Sequence, residues 1–541
     1  MSRPTFALRA DQVSLSRGDQ PVLRAIDLTV SPTTRLAVVG SNGVGKSTLL
    51  RALAGVVEPE LGVVTREPGD LRVGVLDQEL PRSHTPVLDH LAEATGVAAA
   101  RAAFDRATQA VADGRAGADD EYNRALDAWM AAGAADFDAR VEATLDQLGL
   151  PKRIGSQATA SLSGGEAARV GLAALLLSRF DVTLLDEPTN NLDLAGLAVL
   201  EAWVDALVGG LVVVSHDRRF LERTVSSVLE IHEQHHTGTL FHGGWQAFLD
   251  ERASALARAQ AEHERYVAER DRLQAAAQRQ REWVDRGVSR AVNRPADVDK
   301  VRRRWQRGQT EQLAGRARAS RKAAERLEVV DKPWEGWDLQ FTVATAARSG
   351  TVVATFDDLV IRRGEFELGP IDDRIDWGER IHLAGPNGSG KSTLIATLLG
   401  DIEPTRGRAG LGSSVVVGLL GQERGDLGPG DRSLVETFPP RSGLDQTDSR
   451  SVLAKFGLSA DAVGRPLATL SPGERTRALL ALFQARGVNL LILDEPSNHL
   501  DLPAIDQLEQ ALEAYDGTLL LVSHDRALLD ALRITRTIDL G

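Results

Sequence analysis

Two segments, Gly40–Ser47 (GSNGVGKS) and Gly385–Ser392 (GPNGSGKS), fit the spacing G-x-x-x-x-G-K-[ST]. Glycines at that spacing let backbone N–H groups close around phosphate oxygens, at the positive end of a helix that follows. Each loop is preceded by an apolar strand-like run (RLAVV, RIHLA) and followed by an apolar helix-like run (TLLRALAG, TLIATLLG), the context the motif requires. The candidate phosphate-binding residues are therefore Gly40, Ser41, Asn42, Gly43, Val44, Gly45, Lys46, Ser47 and Thr48, and Gly385, Pro386, Asn387, Gly388, Ser389, Gly390, Lys391, Ser392 and Thr393. Lys46 and Lys391 are placed to neutralise β/γ-phosphate charge, and the Ser47 and Ser392 hydroxyls to ligate Mg²⁺. Lysine is scarce in this arginine-rich chain, so its presence at both loops favours a compact point charge.

Two further runs, VTLLDEP and LLILDEP, read as buried parallel strands that end in paired acids. Asp186 and Asp494 are candidates to hold Mg²⁺ through water, and Glu187 and Glu495 to polarise an attacking water. A third pair of runs, VVVSHD and LLVSHD, ends in His216 and His524.

These pieces recur in the same order, so the chain carries an internal duplication. Lys46 and Lys391 are 345 positions apart, and Gln78 and Gln422 are 344 apart. Ser163/Ser471, Glu187/Glu495 and His216/His524 are each separated by 308, which leaves 36 extra residues in the first copy between Gln78 and Ser163. That alanine-rich stretch favours helix. It reads as an enlarged helical subdomain, with a partner-contacting arm as the other reading. The expected organisation is a first domain over 5–242, its extra residues between 79 and 161, a basic helical linker over 243–333 and a second domain over 350–541. A chain of 541 residues needs more than one core. Zero cysteine excludes disulfides and thiolate metal sites, and the composition is that of a soluble globular protein. No apolar run reaches the ~18 residues of a membrane span, and the opening MSRPTFALRA lacks a signal-peptide core. A cytoplasmic location is expected.

The sequence LSGGE at Leu162–Glu166, with LSPGE at Leu470–Glu474, makes both copies resemble the ATP-binding cassettes of ABC ATPases. That resemblance implies two cassettes sandwiching two ATP molecules, each phosphate loop facing the other cassette's signature. One site would pair Lys46 with Ser471, Pro472, Gly473 and Glu474. The other would pair Lys391 with Ser163, Gly164, Gly165 and Glu166. It further implies that Gln78 and Gln422 sense Mg²⁺ and γ-phosphate, that His216 and His524 are switch histidines, and that Asp193 and Asp501 are the D-loop aspartates. Pro472 departs from the pattern by removing one N–H donor, and Asn191 stands where the second copy has His499. The position that stacks on adenine in this family falls approximately at Arg17 and Arg363.

Between the copies, QAFLDERASALARAQAEHERYVAERDRLQAAAQRQREWV has a long helical pattern. A loop over 285–314 and a returning helix from Gly315 are expected to follow. From Arg286 to Arg326, thirteen Lys/Arg oppose four Asp/Glu, a local +9 that leaves −22 for the rest of a chain of net charge −13. Concentrated charge of this kind is an anchor for polyanions, and interleaved tryptophans suit stacking on exposed bases. The candidate RNA contacts are Arg286, Arg290, Arg294, Lys300, Arg302, Arg303, Arg304, Trp305 and Arg307.

Two fused cassettes around a basic linker, without a membrane domain, resemble the ABC-F family over nearly the whole chain. The resemblance implies an α/β fold of two ABC-type P-loop nucleotide-binding domains joined by a long helical-hairpin (coiled-coil) linker, in a monomer whose cassettes pair intramolecularly. It implies ATP and Mg²⁺ as cofactors and the ribosome as partner, bound at the E-site region on the large subunit when the cassettes close on ATP. The linker would reach toward P-site tRNA and the 23S rRNA of the peptidyl-transferase centre, with release on hydrolysis. A long linker tip favours antibiotic resistance by ribosome protection, with a housekeeping translation factor as the second reading. The ATP-binding subunit of a membrane transporter is the reading from another class.

Overall fold

The computed structural model describes residues 6–18, 20–76, 80–190, 192–292, 350–364, 366–421, 427–498 and 500–540. The first cassette contains strands β1 (Ala7–Arg17), β2 (Gln20–Val30), β3 (Arg35–Val39), β4 (Leu61–Glu67), β5 (Val73–Leu76), β6 (Val182–Asp186), β7 (Gly210–Val214), β8 (Ser227–Ile231) and β9 (Gly238–His242). Its helices are α1 (Lys46–Leu53), α2 (Val87–Ala94), α3 (Val97–Ala112), α4 (Ala118–Ala131), α5 (Phe137–Gln147), α6 (Gly164–Leu177), α7 (Leu194–Ala206) and α8 (Arg218–Thr224). Helix α9 (Gly244–Val292) follows.

The second cassette contains β10 (Val352–Arg363), β11 (Phe366–Asp376), β12 (Arg380–Ala384), β13 (Arg406–Leu411), β14 (Val417–Leu420), β15 (Leu490–Asp494), β16 (Thr518–Val522) and β17 (Arg536–Asp539). Its helices are α10 (Lys391–Leu399), α11 (Leu434–Ser442), α12 (Gln446–Lys455), α13 (Ala460–Gly464), α14 (Pro472–Ala485), α15 (Leu502–Glu513) and α16 (Arg526–Ala531).

Each cassette is built on a parallel sheet, in the orders β5-β6-β7-β3-β8-β9 and β14-β15-β16-β12-β17. In the first, β9 pairs antiparallel with β8 at the edge. The central strands are buried on both faces, which is why VTLLD and LLILD are continuous apolar runs rather than alternating ones. A three-stranded antiparallel sheet, β2-β1-β4 or β11-β10-β13, packs its apolar face over the first helix of each cassette. The strand–loop–helix units read from the sequence fall on β3–α1 and β12–α10, so both phosphate loops leave the carboxyl end of a central parallel strand. Ligands of open α/β sheets bind at that end.

The extra residues of the first cassette are helical, as their composition implies. Helices α3 and α4 pack together, with Phe104 stacked on Trp129 at 5.5 Å and tilted against Tyr122 at 5.3 Å. The long linker helix is also present. It runs to Val292, however, so the expected loop from Asp285 begins inside α9 instead. A single glycine, Gly287, costs a helix only ~1 kcal/mol, too little to end the long helix-favouring run that leads into it. At 49 residues the helix is ~73 Å long. Contacts divide the chain into one unit holding both cassettes and a second beginning at Ala247. Arg294, Lys300, Arg302, Arg303, Arg304, Trp305, Arg307 and the expected returning helix lie outside the described residues, as do the side chains of Arg286 and Arg290. Among the described residues no helix is long and apolar enough to cross a membrane.

Candidate active sites

Both phosphate loops have the same internal geometry. Helices α1 and α10 start after Gly45 (φ 109°) and Gly390 (φ 97°), left-handed positions that an L side chain rarely adopts. A Cβ on Gly390 would also lie 2.8 Å from the Phe366 ring, and one on Gly45 would lie 2.6 Å from Val22. The Lys46 ammonium donates to the carbonyls of Gly40 (2.8 Å) and Ser41 (3.1 Å); Lys391 donates to those of Gly385 (2.7 Å) and Pro386 (2.9 Å). Burial lowers the pKa of both lysines, against the raising effect of nearby acids that include Glu187 for Lys46 and Glu495 for Lys391. Each buried cation is therefore held over the loop by carbonyl dipoles, where an anion would replace lost hydration.

Asp186 and Asp494 end β6 and β15, and the next residue turns sharply. Glu187 (φ 48°) and Glu495 (φ 50°) sit in the left-handed region, pinned by backbone hydrogen bonds from their N–H groups to the carbonyls of Val214 and Val522. A non-glycine residue there costs on the order of 1–2 kcal/mol. The turn aims each carboxylate at its cassette's histidine. His216 Nε2 is 3.0 Å from Glu187 Oε1, and His524 Nε2 is 3.5 Å from Glu495 Oε1. Glu187 Oε2, His216 Nδ1, Glu495 Oε1 and His524 Nε2 are all buried without a hydrogen-bond partner. Such orphaned polar atoms at the end of a phosphate loop fit a site completed by nucleotide and water. Ser392 Oγ donates to Asp494 Oδ2 at 2.9 Å, bringing together two hard oxygen donors of the kind Mg²⁺ selects. The pair fits the ion at the second loop.

The two sites differ electrostatically. Burial pushes Glu187 up, but the His216 and Lys46 charges outweigh it and leave the carboxyl below its usual range. Burial and the neighbouring Asp494 push Glu495 up to about 8, while burial and Lys391 hold His524 down to about 4. The sense of the contrast follows the neighbours: Asp494 faces Glu495 as a like charge, whereas His216 and Lys46 oppose burial at Glu187.

Each loop is also touched by the opposite cassette. The Asn387 N–H donates to Asp193 Oδ2, and the Asn42 N–H to Asp501 Oδ2, both at 3.2 Å. Asp193 and Asp501 cap α7 and α15, so each aspartate joins one cassette's helix to the other's loop. The signature serines Ser163 and Ser471 cap α6 and α14 in capping boxes with Glu166 and Glu474. Pro472 occupies the first turn of α14, where a missing N–H costs the helix nothing, and Ser471 keeps the dihedral angles of Ser163. A Cβ on Gly165 would lie 3.0 Å from Asn387 of the opposite loop, whereas one on Gly473 would meet Ala504 of its own cassette at 3.3 Å. A cavity of about 590 Å³ opens between Gly164 and Gly165 on one side and Lys391, Ser392, Glu495 and His524 on the other. That is the size class of small-molecule sites.

Asp193 thus meets the second loop and Asp501 the first, contacts that the sequence reading did not pair; of its signature–loop pairings, Gly165 approaches Asn387 of the second loop, whereas Gly473 faces its own cassette. Gln78 and Gln422, and the Asn191/His499 difference, lie outside the described residues. One side chain was missed. Phe366 lines the cavity against Gly390, directly across the hairpin from Arg363, where stacking had been expected. The signal was available as an aromatic three positions after Arg363, on the returning strand. In the first cassette Val22 packs on the equivalent glycine, Gly45.

Parallel sheets presenting phosphate loops to an opposed signature define a nucleoside-triphosphate-hydrolysing cassette pair. The family profile described as ABC transporter matches residues 23–190 and 368–498. The chain is 35% identical to the tylosin resistance ATP-binding protein TlrC of Streptomyces fradiae, covering 97% of this chain and 95% of that protein. It is 31% identical to the energy-dependent translational throttle protein EttA of Mycobacterium tuberculosis (strain CDC 1551 / Oshkosh), covering 97% and 90%. A solved structure titled RNase-L Inhibitor shares the fold with a TM-score of 0.59 at 20% identity, covering 98% of this chain and 88% of that one. The chain belongs to the ATP-binding cassette family and is an ATPase of the tandem-cassette ABC-F type.

Proposed function

We propose that the protein closes its two cassettes on two ATP molecules, binds the ribosome in that state and leaves on hydrolysis. The observation that carries the ATP part is the reciprocal contact of Asp193 and Asp501 with the opposite phosphate loops. In this reading the loop amides with Lys46 and Lys391 hold the phosphates. Signature residues Ser163, Gly164, Gly165 and Glu166, and Ser471, Pro472, Gly473 and Glu474, close on them from the other cassette. Glu187 and Glu495 accept the proton of the attacking water, and His216 and His524 orient the γ-phosphate. Ser47, Gln78 and Asp186, and Ser392, Gln422 and Asp494, would hold Mg²⁺, which neutralises phosphate charge when bound. Phe366 offers its ring to the base. The Phe366→Ala change is expected to weaken one of two ATP sites by about 1–3 kcal/mol, a roughly 5- to 150-fold rise in Kd. Nucleotide titration checks this, and two unaltered sites would remove the ring from the base.

The ribosome is favoured as partner by the +9 charge of residues 286–326 in an otherwise acidic chain and by the kinship with proteins named for translational throttling and for tylosin resistance. From the E-site on the large subunit the linker would reach toward P-site tRNA and the peptidyl-transferase region, in a cytoplasmic monomer. Ribosome protection against an antibiotic is the role we favour; a housekeeping translation factor is the second. Expression in a susceptible host is expected to raise the inhibitory concentration of a drug of the peptidyl-transferase centre or exit tunnel at unchanged intracellular drug. Lowered accumulation would point to transport, and unchanged susceptibility to the housekeeping role.

A further inference from the structure

Helices α7 and α15 each touch the opposite cassette at a second point. Glu201 on α7 accepts a hydrogen bond from Arg526, the first residue of α16. Glu509 on α15 accepts one from Arg218, the first residue of α8, at 2.6 Å. The pairs are copies of one another: Arg218/Arg526 and Glu201/Glu509 are each 308 positions apart, the same offset as His216/His524. Both glutamates stand eight residues after the capping aspartate of their helix, ~12 Å along its axis.

The connectivity sorts these contacts by site. Helix α7 meets the second loop through Asp193, and through Glu201 it meets the arginine two residues after His524. Helix α15 meets the first loop through Asp501, and through Glu509 the arginine two residues after His216. Each site is therefore spanned by one helix of the opposing cassette, held at one end by the phosphate loop and at the other by the histidine turn of the same site. Each grip has a third member. Glu201, 3% exposed, also accepts from Arg223 of its own cassette at 2.7 Å, while Arg218 also meets Asp506 at 3.3 Å.

We infer that Arg218 and Arg526 are positioning residues for ATP hydrolysis, each serving one site by fixing the opposing helix relative to the loop and histidine of that site. The inference rests on the composite-site reading above. Partly buried ion pairs between packed elements can fix register even where they add little net stability, and we assign that role here. Here they fix where the aspartate end of the helix meets the loop. Removing Arg526 loosens α7 over the second site, and removing Arg218 loosens α15 over the first.

The test silences one site at a time. In an E495Q background, where the first site supplies the remaining turnover, R218A is expected to lower single-turnover hydrolysis at least tenfold more than R526A. In an E187Q background the order reverses. R218K and R526K, which keep the charge, should recover part of the loss. In a double-mutant cycle R218A and E509A should be strongly non-additive. ATP affinity, read by nucleotide titration, should move less than kcat. Equal losses from both arginines in both backgrounds, or additive effects in the cycle, would overturn the assignment. If the E187Q/E495Q double variant kept the hydrolysis of the unaltered protein, the proposed hydrolytic sites would fail instead, and that result is visible without any arginine change. Should an alanine variant unfold, the lysine variants carry the same comparison.

Discussion

Replacing Glu187 and Glu495 together by glutamine lowers ATP hydrolysis about 10²–10⁴-fold, the usual worth of a positioned general base. At 1.36 kcal/mol per tenfold, that is about 3–5 kcal/mol of barrier. The reason is local. Each carboxylate is buried with an unpartnered oxygen, at a turn that its backbone N–H locks to the neighbouring strand. Glutamine preserves shape and burial but cannot accept a proton. On the proposed reading ATP binding rests on the loop amides and Lys46 and Lys391, so it should persist and the cassettes should stay closed. On the proposed cycle, the double variant should remain with ribosomes through sucrose-cushion sedimentation, whereas the parent protein should leave. Rapid nucleotide-dependent release of the double variant would be incompatible with hydrolysis as the exit step.

The second large effect concerns salt. Changing Arg302, Arg303 and Arg304 to glutamine removes three positive charges from the basic segment of a chain whose remainder is strongly acidic. Taking away one phosphate-neutralising charge should flatten the dependence of log K on log salt by about one unit, so the slope for ribosome binding should fall by about 2–3 units. Affinity should drop most at low salt. ATP titration should be unaffected, because no residue of either cassette changes. An unchanged slope would place the segment away from the phosphate backbone.

Much of the fold was legible in the sequence because buried parallel strands and phosphate loops are local patterns. RLAVV and RIHLA are β3 and β12 residue for residue, and each signature serine begins its helix. The duplication made these readings firmer by supplying each one twice. What escaped was set by three-dimensional approach rather than by neighbours in the chain. Phe366 reaches Gly390 only because β11 returns antiparallel to β10. The Arg218–Glu509 pair links residues nearly three hundred positions apart on two elements that read, one at a time, as ordinary charged helix surface. The loop was expected from Asp285, yet one glycine at 287 costs too little to end α9 there. The contrast between Glu187 and Glu495 was invisible for a different reason: it turns on how closely His216, Lys46 and Asp494 face the two carboxylates in space.

The left-handed backbone at Glu187 and Glu495 sets durability against turnover. A chain selected only to resist heat would place glycine or asparagine at both positions, where those angles come at little steric cost. It would gain cohesion at two strand ends and lose the two carboxylates that we propose accept the proton of water. Gln12, Ala25, His236, Asp358 and Arg533 share the left-handed region, so thermostabilisation of this protein is better sought at those positions than at Glu187 and Glu495.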